Sequence, residues 1–501
     1  MSFDFITLCD GYKLDHRRQY PKGTEYVYSN WTPRSSRVLG VDKVVFFGLQ
    51  YFLAAYLQEL AHETFFGKQR GAVLRKYQRT LDSYLGPNNI GVQHISDLHD
   101  LGYIPLRFKA LPEGTKVPLR VPALTVENTR PEFFWVTNYI ETLLSNVLWK
   151  ACTSATTALR FRRALEQAAA ATGGDPAFID WQGHDFSFRG MSGPEDAALS
   201  GAGHLLSFAG TDTIPAIQLL DRYYGPNTEL VGGSVAATEH SVMCAGGQDG
   251  EIQTFERLLG VYPSGILSVV SDTWDLWFVL GTILPTLKER IMGREGKLVI
   301  RPDSGDPADI LCGKGCCDGC KTGTADCDVN PFAAQKYHEA ERKGVIETLW
   351  DIFGGTINAS GYKVLDPHIG AIYGDSINTE RAADILSRLA AKGFASTNVV
   401  FGCGSYNYQY VTRDTYGFAM KATWAQVNGK GYALFKDPVT DDGGKRSAKG
   451  RLAVVDYGRG PELADGYTVT NPIAGDILET VWQNGRFTKT HTLAEIRARL
   501  K

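Results

Sequence analysis

The segment Arg301-Pro-Asp303-Ser-Gly305 places a cation, a carboxylate and a tight turn within five residues. A guanidinium matches phosphate oxygens, and the carboxylate can accept from sugar hydroxyls or hold magnesium-bound water. Gly374-Asp375 and Gly402-Cys403-Gly404 offer backbone N–H groups that could cradle a phosphate ahead of a helix. Any one of these is equally well a strand-end turn; all three in successive units point to phosphate binding. His240 closes Ala-Thr-Glu239-His, and a carboxylate beside an imidazole suits acid–base or nucleophilic work, against a histidine that only shapes a pocket. In His184-Asp185-Phe186-Ser187-Phe188-Arg189-Gly190, Phe186 could stack on a flat ring while Arg189 supplies charge; the plain alternative is a core Phe pair with a surface Arg. No GxxxxGK[ST] loop, HExxH, GxSxG elbow or well-placed GxGxxG is present, which removes the commonest routes to an ATPase, zinc protease, serine hydrolase or dinucleotide-dependent dehydrogenase.

These residues need a scaffold that brings them together. Apolar runs recur at Leu206–Asp212, Gly233–His240, Ile266–Asp272, Leu298–Asp303, Ala371–Asp375 and Val399–Gly404, and each ends in polar residues. Their starts fall about one βα unit apart, which implies a parallel sheet buried on both faces. Polar ends on this many strands favour an α/β barrel over an open doubly wound sheet, which concentrates its site at one switch point. The wide gap before Ala371 holds a helix expected around Ala333–Leu349. Earlier, Val44–Leu57 reads as a strand entering a helix, Ile104–Phe108, Val117–Leu119 and Leu124–Val126 as short strands, and Glu132 to about Ala171 as helix ending at Gly173-Gly174. After residue 405, Phe418–Trp424, Tyr432–Phe435 and Arg451–Val455 alternate as antiparallel strands, with Asn428-Gly429 a hairpin turn. The expected organisation is α/β: a sheet-rich α+β domain from 1–150 and 405–501, and a barrel domain from 151–404.

The 501 residues are 43% hydrophobic and 21% charged, with 52 Lys+Arg against 55 Asp+Glu and a net charge of −3. That balance argues against nucleic acid or an anionic membrane as a whole-chain partner. The N-terminus has no basic, then apolar, leader, and Val44–Leu57 is too short to span a bilayer, so the expected location is cytoplasmic. Nine cysteines fit a reduced compartment. Five of them, Cys312, Cys316, Cys317, Cys320 and Cys327, crowd an insertion over 312–327. Cys317-x2-Cys320 has the spacing of half a zinc site, and the alternative is a Gly-rich loop of reduced thiols.

Taken in order, the chain resembles the nicotinate/nicotinamide phosphoribosyltransferase family, on its nicotinamide-using side. The resemblance rests on Asp10-Gly-Tyr12-Lys13, Phe47-Gly-Leu-Gln-Tyr51, His184-Asp-Phe186, Arg189-Gly190, Gly210-Thr-Asp212-Thr, Glu239-His240-Ser241, Ser268-Val-Val-Ser-Asp272, Ile300-Arg-Pro-Asp-Ser-Gly305, Thr412-Arg413-Asp414 and Lys445-Arg446-Ser447. It covers nearly the whole chain. It implies an irregular barrel of the type II phosphoribosyltransferase kind plus a sheet-rich domain, in a homodimer with shared active sites. The implied reaction joins nicotinamide to phosphoribosyl pyrophosphate, with Mg2+ and with ATP as co-substrate through a phosphohistidine at His240, beside Glu239.

By the same resemblance, Phe186 and the partner subunit's Tyr12 sandwich the pyridine ring, Asp212 accepts from the carboxamide, and Arg189 lies near its carbonyl. Arg301, Arg34, Arg413, Lys421, Lys436 and Lys445 hold phosphates. Asp303 binds ribose, Asp272 lies near magnesium, and Ser268, Gly374, Asp375, Gly404 and Ser405 complete the phosphate and ribose contacts. Two departures stand out: Ser405 replaces a glycine in the phosphate loop, and the cysteine insertion has no counterpart. Nicotinate phosphoribosyltransferase is the alternative activity, disfavoured because Asp212 would repel a carboxylate. A catalytically silent protein on this scaffold is disfavoured by the full set of charged positions.

Overall fold

A computed structural model describes residues 3–225, 230–314, 339–435, 448–468 and 473–501. The chain forms two compact units, one from 157–217 and 230–410, the other from 1–156, 218–229 and 411–501.

The first unit is built on seven parallel strands: β1 Gly183–Asp185, β2 Gly210–Thr211, β3 Ala236–Ala237, β4 Ser264–Val270, β5 Glu295–Arg301, β6 Ile369–Tyr373 and β7 Val399–Cys403. The pairing runs in chain order and curls back on itself. β7 pairs with β1 through Phe401↔Gly183, Gly402↔His184 and Cys403↔Asp185. Gly233, three residues before β3, bridges Gly210 of β2. First and last strands are therefore neighbours, which is barrel topology; an open doubly wound sheet would leave them apart.

Period-two alternation sorts the β5 side chains. Leu298 and Ile300 are fully buried in the layer under the helices, while Lys297, Val299 and Arg301 face the lumen. The outer core joins these strands to helices such as Thr379–Ala391 and Leu284–Met292, through Ile385, Leu389, Leu287 and Ile291.

Three details differ from the expectations. The run Leu206–Asp212 yields only the two-residue β2, because helix Pro194–His204 and its closing turn occupy the chain up to it. β1 carries His184 and Asp185 in a three-residue strand with no β-branched run to announce it. The helix expected over Ala333–Leu349 is two helices, Glu339–Lys343 and Val345–Phe353, parted at Gly344, whose φ of 81° interrupts the coil. Residues 333–338 lie outside the described residues.

The second unit centres on a seven-stranded antiparallel sheet in the order Lys430–Ala433, Ala419–Val427, Thr24–Thr32, Leu124–Asn128, Leu106–Ala110, Glu479–Gln483, Arg486–Phe487. N-terminal and C-terminal segments thus share one sheet, joined by Thr24–Thr32 against Ala419–Val427. Asn428 and Gly429 both take positive φ (48° and 74°), the left-handed pair that a two-residue hairpin turn needs. Trp31 stacks on Phe418 with ring centroids 4.4 Å apart in the core beneath.

Candidate active site

The C-terminal ends of the barrel strands carry most of the residues singled out from the sequence. β1 delivers His184 and then Phe186, whose backbone N–H donates to the Cys403 carbonyl of β7 at 3.0 Å. The Phe186 ring lies over two glycines. A Cβ on Gly402 would stand 2.3 Å from Phe186 Cδ2, and one on Gly374 would stand 3.0 Å from it. Both glycines are therefore needed where they are to seat the aromatic ring, besides any contact with phosphate. Gly210 plays the same part for His184, since a Cβ there would lie 2.7 Å from Nδ1.

His184, Asp212 and Ser234 form one polar cluster beside this ring. His184 Nε2 is 2.9 Å from Asp212 Oδ1, and the Ser234 hydroxyl donates to the same oxygen at 2.6 Å. Burial alone would raise the Asp212 carboxyl. The hydrogen bond and charge of His184, the Ser234 hydroxyl and the charge of Arg301 outweigh burial and hold it below the ordinary carboxylate value. Asp212 is thus an anion with one oxygen saturated and the other free to accept. Ser234, an ordinary serine after Gly232-Gly233, carries no signal of this role in the sequence, and the motif around His184 gives that histidine no partner until the fold brings Asp212 to it.

On the opposite wall, the Arg301 guanidinium is 3.8 Å from the Asp303 carboxylate, and its Nε is buried without a hydrogen-bond partner among the described residues. Asp272 braces the turn that follows, its Oδ2 accepting from Asp303 N–H at 2.9 Å and from the Ser304 hydroxyl at 2.5 Å. Its Oδ1 is buried without a hydrogen bond among the described residues and faces His240 Nε2 at 3.4 Å. The carboxylate that meets the imidazole is therefore Asp272. Glu239 instead takes the hydroxyl of Ser241 and precedes the short helix His240–Cys244. Gly305, with φ of 93°, turns the loop, and its carbonyl accepts from Tyr373 Oη at 2.9 Å.

The remaining predicted positions divide. Ser268 lines the lumen, and Asp375 is exposed just past β6. A Cβ on Gly404 would meet open space, which leaves its approach clear. Ser405 sits against Gly190, where an added Cβ would lie 2.7 Å from Ser405 Cβ, so the absence of a side chain at 190 accommodates the one gained at 405. Arg189 is exposed on the turn Phe188–Gly190.

Tyr12, Arg34, Arg413 and Lys421 belong to the sheet-rich unit and are all exposed. There, Lys421 pairs in register with Asn30, and the Arg34 N–H donates to the Tyr416 carbonyl beside Arg413. Arg34, Arg413 and Lys421 thus lie on adjoining segments of this unit. Lys436 and Lys445 lie outside the described residues.

Cys312 is one of the cysteines that could complete a zinc site with Cys317 and Cys320. It is a core residue in helix Pro307–Cys312, and burial pushes its thiol up to about 12, so it stays protonated. Cys316, Cys317, Cys320 and Cys327 lie outside the described residues. Among the described residues, no three His, Cys, Asp or Glu side chains gather to hold a metal, and no helix is long and apolar enough to cross a membrane.

A parallel barrel with an aromatic, an anionic acceptor and phosphate-seeking groups at its strand ends is the arrangement of an α/β-barrel phosphoribosyltransferase. Residues 181–486 match the nicotinate phosphoribosyltransferase (NAPRTase) family, and residues 4–105 match the nicotinamide phosphoribosyltransferase N-terminal domain. The chain belongs to the nicotinate/nicotinamide phosphoribosyltransferase family and is a pentosyltransferase. It is 52% identical to the nicotinamide phosphoribosyltransferase of Acinetobacter baylyi, over 99% of this chain and 96% of that one. It is 34% identical to the nicotinamide phosphoribosyltransferase of Xanthomonas campestris, over 98% and 96% of the two chains. In fold it is similar to the nicotinate-nucleotide pyrophosphorylase of Pyrococcus furiosus, with TM-score 0.56 and 14% identity over 99% of this chain and 95% of that chain. It is likewise similar to human nicotinic acid phosphoribosyltransferase, with TM-score 0.54 and 16% identity over 100% and 93% of the two chains.

Proposed function

We propose that the enzyme transfers the phosphoribosyl group from phosphoribosyl pyrophosphate to nicotinamide, releasing pyrophosphate, in NAD biosynthesis. The observation that carries the choice of base is Asp212. Its Oδ1 is taken by His184 and Ser234, which leaves Oδ2 to accept from a carboxamide N–H2 over the Phe186 ring. A nicotinate carboxylate in that place would meet an ionised Asp212 in a partly desolvated pocket, a penalty of a few kcal/mol. The named relatives point the same way.

In the transfer, charge builds on the departing pyrophosphate while the anomeric carbon becomes cationic. Arg301 would hold the pyrophosphate and Asp303 the ribose hydroxyls, with oriented donors rather than covalent chemistry lowering the barrier. The residues fit Mg2+, because Asp272 Oδ1 is a buried acceptor with no hydrogen-bond donor among the described residues, and Asp303, on the loop after the neighbouring strand, donates its backbone N–H to Asp272 Oδ2. Two carboxylates suffice for an ion that takes its other ligands from phosphates and water. Bound there, Mg2+ would neutralise pyrophosphate charge.

His240 is the proposed site of ATP coupling. Asp272 Oδ1 lies 3.4 Å from Nε2 without hydrogen-bonding it among the described residues, which leaves Nδ1 as the atom proposed to accept the γ-phosphoryl group as ADP departs. The phosphorylated ring would add charge beside Arg301 and magnesium and so tighten the pyrophosphate end of the substrate. Enzyme given nicotinamide, phosphoribosyl pyrophosphate, Mg2+ and γ-labelled ATP should carry alkali-stable label on His240. ATP should also lower the apparent KM for phosphoribosyl pyrophosphate. His240→Ala should lose the label and the ATP effect; label that persists in the variant would overturn this role.

The exposed cations Arg34, Arg413 and Lys421, with Tyr12, are proposed to complete a partner subunit's site in a homodimer, Tyr12 closing the ring sandwich. Lys436 and Lys445 are proposed to join the phosphate contacts.

A further inference from the structure

His204 closes the helix Pro194–His204, outside the ring pocket, and is wholly buried, stacked on Phe208 with ring centroids 4.9 Å apart. Its Nδ1 lies 2.6 Å from Tyr408 Oη, and its Nε2 lies 3.1 Å from the Gly210 carbonyl oxygen. Burial outweighs the charge of nearby Asp185 and lowers the imidazole's pKa, so the ring is neutral and carries one N–H. A carbonyl can only accept, which puts that proton on Nε2 and leaves Nδ1 to accept from the Tyr408 hydroxyl. Tyr408, His204 and the Gly210 carbonyl therefore form one directed chain of hydrogen bonds.

Each end of that chain adjoins a part of the site. Gly210 opens β2, two residues before Asp212, and stands between the carriers of both Asp212 donors. It pairs with His184 of β1 and bridges Gly233, the neighbour of Ser234. A strand of two residues makes few ladder bonds, so the carbonyl held by His204 bears on where Asp212 sits. At the other end, Tyr408 closes the one-turn helix Ser405–Tyr408, which starts directly after Gly404. A helix that short is not stable by itself. Two side chains pin it: Tyr408 to His204, and Asn407, whose Nδ2 donates to the Ile377 carbonyl at 3.0 Å. Burying an imidazole and a phenol costs free energy that an apolar pair at 204 and 408 would not, so packing alone does not account for them.

We propose that His204 and Tyr408 are positioning residues for the transfer, a buried relay that holds the loop Gly404-Ser405 and the base acceptor Asp212 in one fixed arrangement. This rests on the reading of Gly404-Ser405 as a phosphate contact and of Asp212 as the carboxamide acceptor. Both side chains are buried, so they act through the loop and β2 rather than on substrate. Without the Tyr408 hydroxyl, Nδ1 becomes a buried acceptor stripped of its donor, and the loop and β2 lose their common tie. Phosphoribosyl pyrophosphate and the base would then each meet a site that has first to be ordered, a cost that falls on binding.

The test compares Tyr408→Phe, which keeps the ring and removes one oxygen, with the unaltered enzyme, using whichever base the unaltered enzyme prefers. KM for phosphoribosyl pyrophosphate and KM for the base should each rise about 5-fold, the equivalent of one neutral hydrogen bond, with kcat within about 2-fold. In an Asp212→Ser background, Tyr408→Phe should still raise KM for phosphoribosyl pyrophosphate and no longer raise KM for the base. His204→Gln, whose amide can donate to one neighbour and accept from the other, should keep more of both affinities than His204→Leu, which fills the space without either bond. Circular dichroism confirms that each variant folds. An unchanged KM for either substrate in Tyr408→Phe, a rise in base KM that is the same with and without the Asp212 side chain, or His204→Leu binding as well as His204→Gln would each overturn the relay. Asp212→Ser alone reports on the base assignment, so a failure there is separable from a failure of the relay.

Discussion

At the scale of single residues, the proposed base choice turns on one carboxylate and its two donors. Asp212 is held below the ordinary carboxylate value once His184, Ser234 and Arg301 overcome its burial. A carboxyl depressed in the folded state contributes stability above its unfolded pKa and loses it as pH falls through the folded value. Across neutral pH, Asp212 therefore stays ionised, and the preference for nicotinamide over nicotinate should be level from about pH 6 to 8. Asp212→Ser should shrink that preference roughly 30-fold, the equivalent of about 2 kcal/mol for a hydrogen bond to a charged group. Steady-state kcat/KM for both bases, in both enzymes, checks this; an unaltered ratio would mean that Asp212 does not face the amide. Much of this was legible in the sequence, where Asp212 and Phe186 stand in recognisable motifs. Ser234 was not, because a serine in a Gly-Gly-Ser stretch carries no signal until the fold brings it to Asp212. Glu239 misled for a related reason: adjacency along the chain put it beside His240, whereas at a strand-to-helix junction consecutive side chains diverge and Asp272 of the next strand faces the imidazole.

At the scale of elements, the strands announced themselves by apolar runs, and the closing strand did not. β1 is three residues long and carries a histidine and an aspartate, so its place is set by pairing with β7 and β2 rather than by propensity. The glycines at the C-terminal ends of β6 and β7 read from sequence as phosphate loops. In the fold, Gly374 and Gly402 also clear the space that the Phe186 ring occupies. Gly402→Ala should therefore act on the ring site. Its Cβ would fall 2.3 Å from Phe186 Cδ2 and 2.6 Å from Gly374 Cα, neither of which can retreat cheaply. The expected cost is about 1–3 kcal/mol of stability. It should come with a raised KM for the base and a smaller change in KM for phosphoribosyl pyrophosphate. Denaturant melts and the two KM values decide it; a variant as stable and as tight as its parent would contradict the packing argument.

At the scale of the whole molecule, the period of the sequence changes from βα repeats to alternating strands after residue 405, while the contribution of 218–229 to the sheet-rich unit carries no such signal. The insertion at 312–327 carries none either, because neither a family motif nor an apolar pattern constrains it. The residues proposed for one reaction are divided between the units, with Phe186, Asp212, Arg301 and His240 on the barrel and Tyr12, Arg34, Arg413 and Lys421 on the sheet-rich unit. The homodimer with shared sites proposed above would account for that division. Mixed dimers of Tyr12→Ala and Phe186→Ala subunits should then regain activity that neither parent has, since one of the two sites would be intact. Mixed dimers that form and stay inactive would place each site within one subunit. The central claim is narrower and can be tested on the unaltered enzyme. With phosphoribosyl pyrophosphate, Mg2+ and ATP present, nicotinamide and nicotinate are supplied at equal concentration and the two mononucleotides are separated and counted. The structure of the ring pocket predicts nicotinamide mononucleotide as the dominant product by a factor of roughly 30 or more. Nicotinate mononucleotide in equal or greater amount would contradict it.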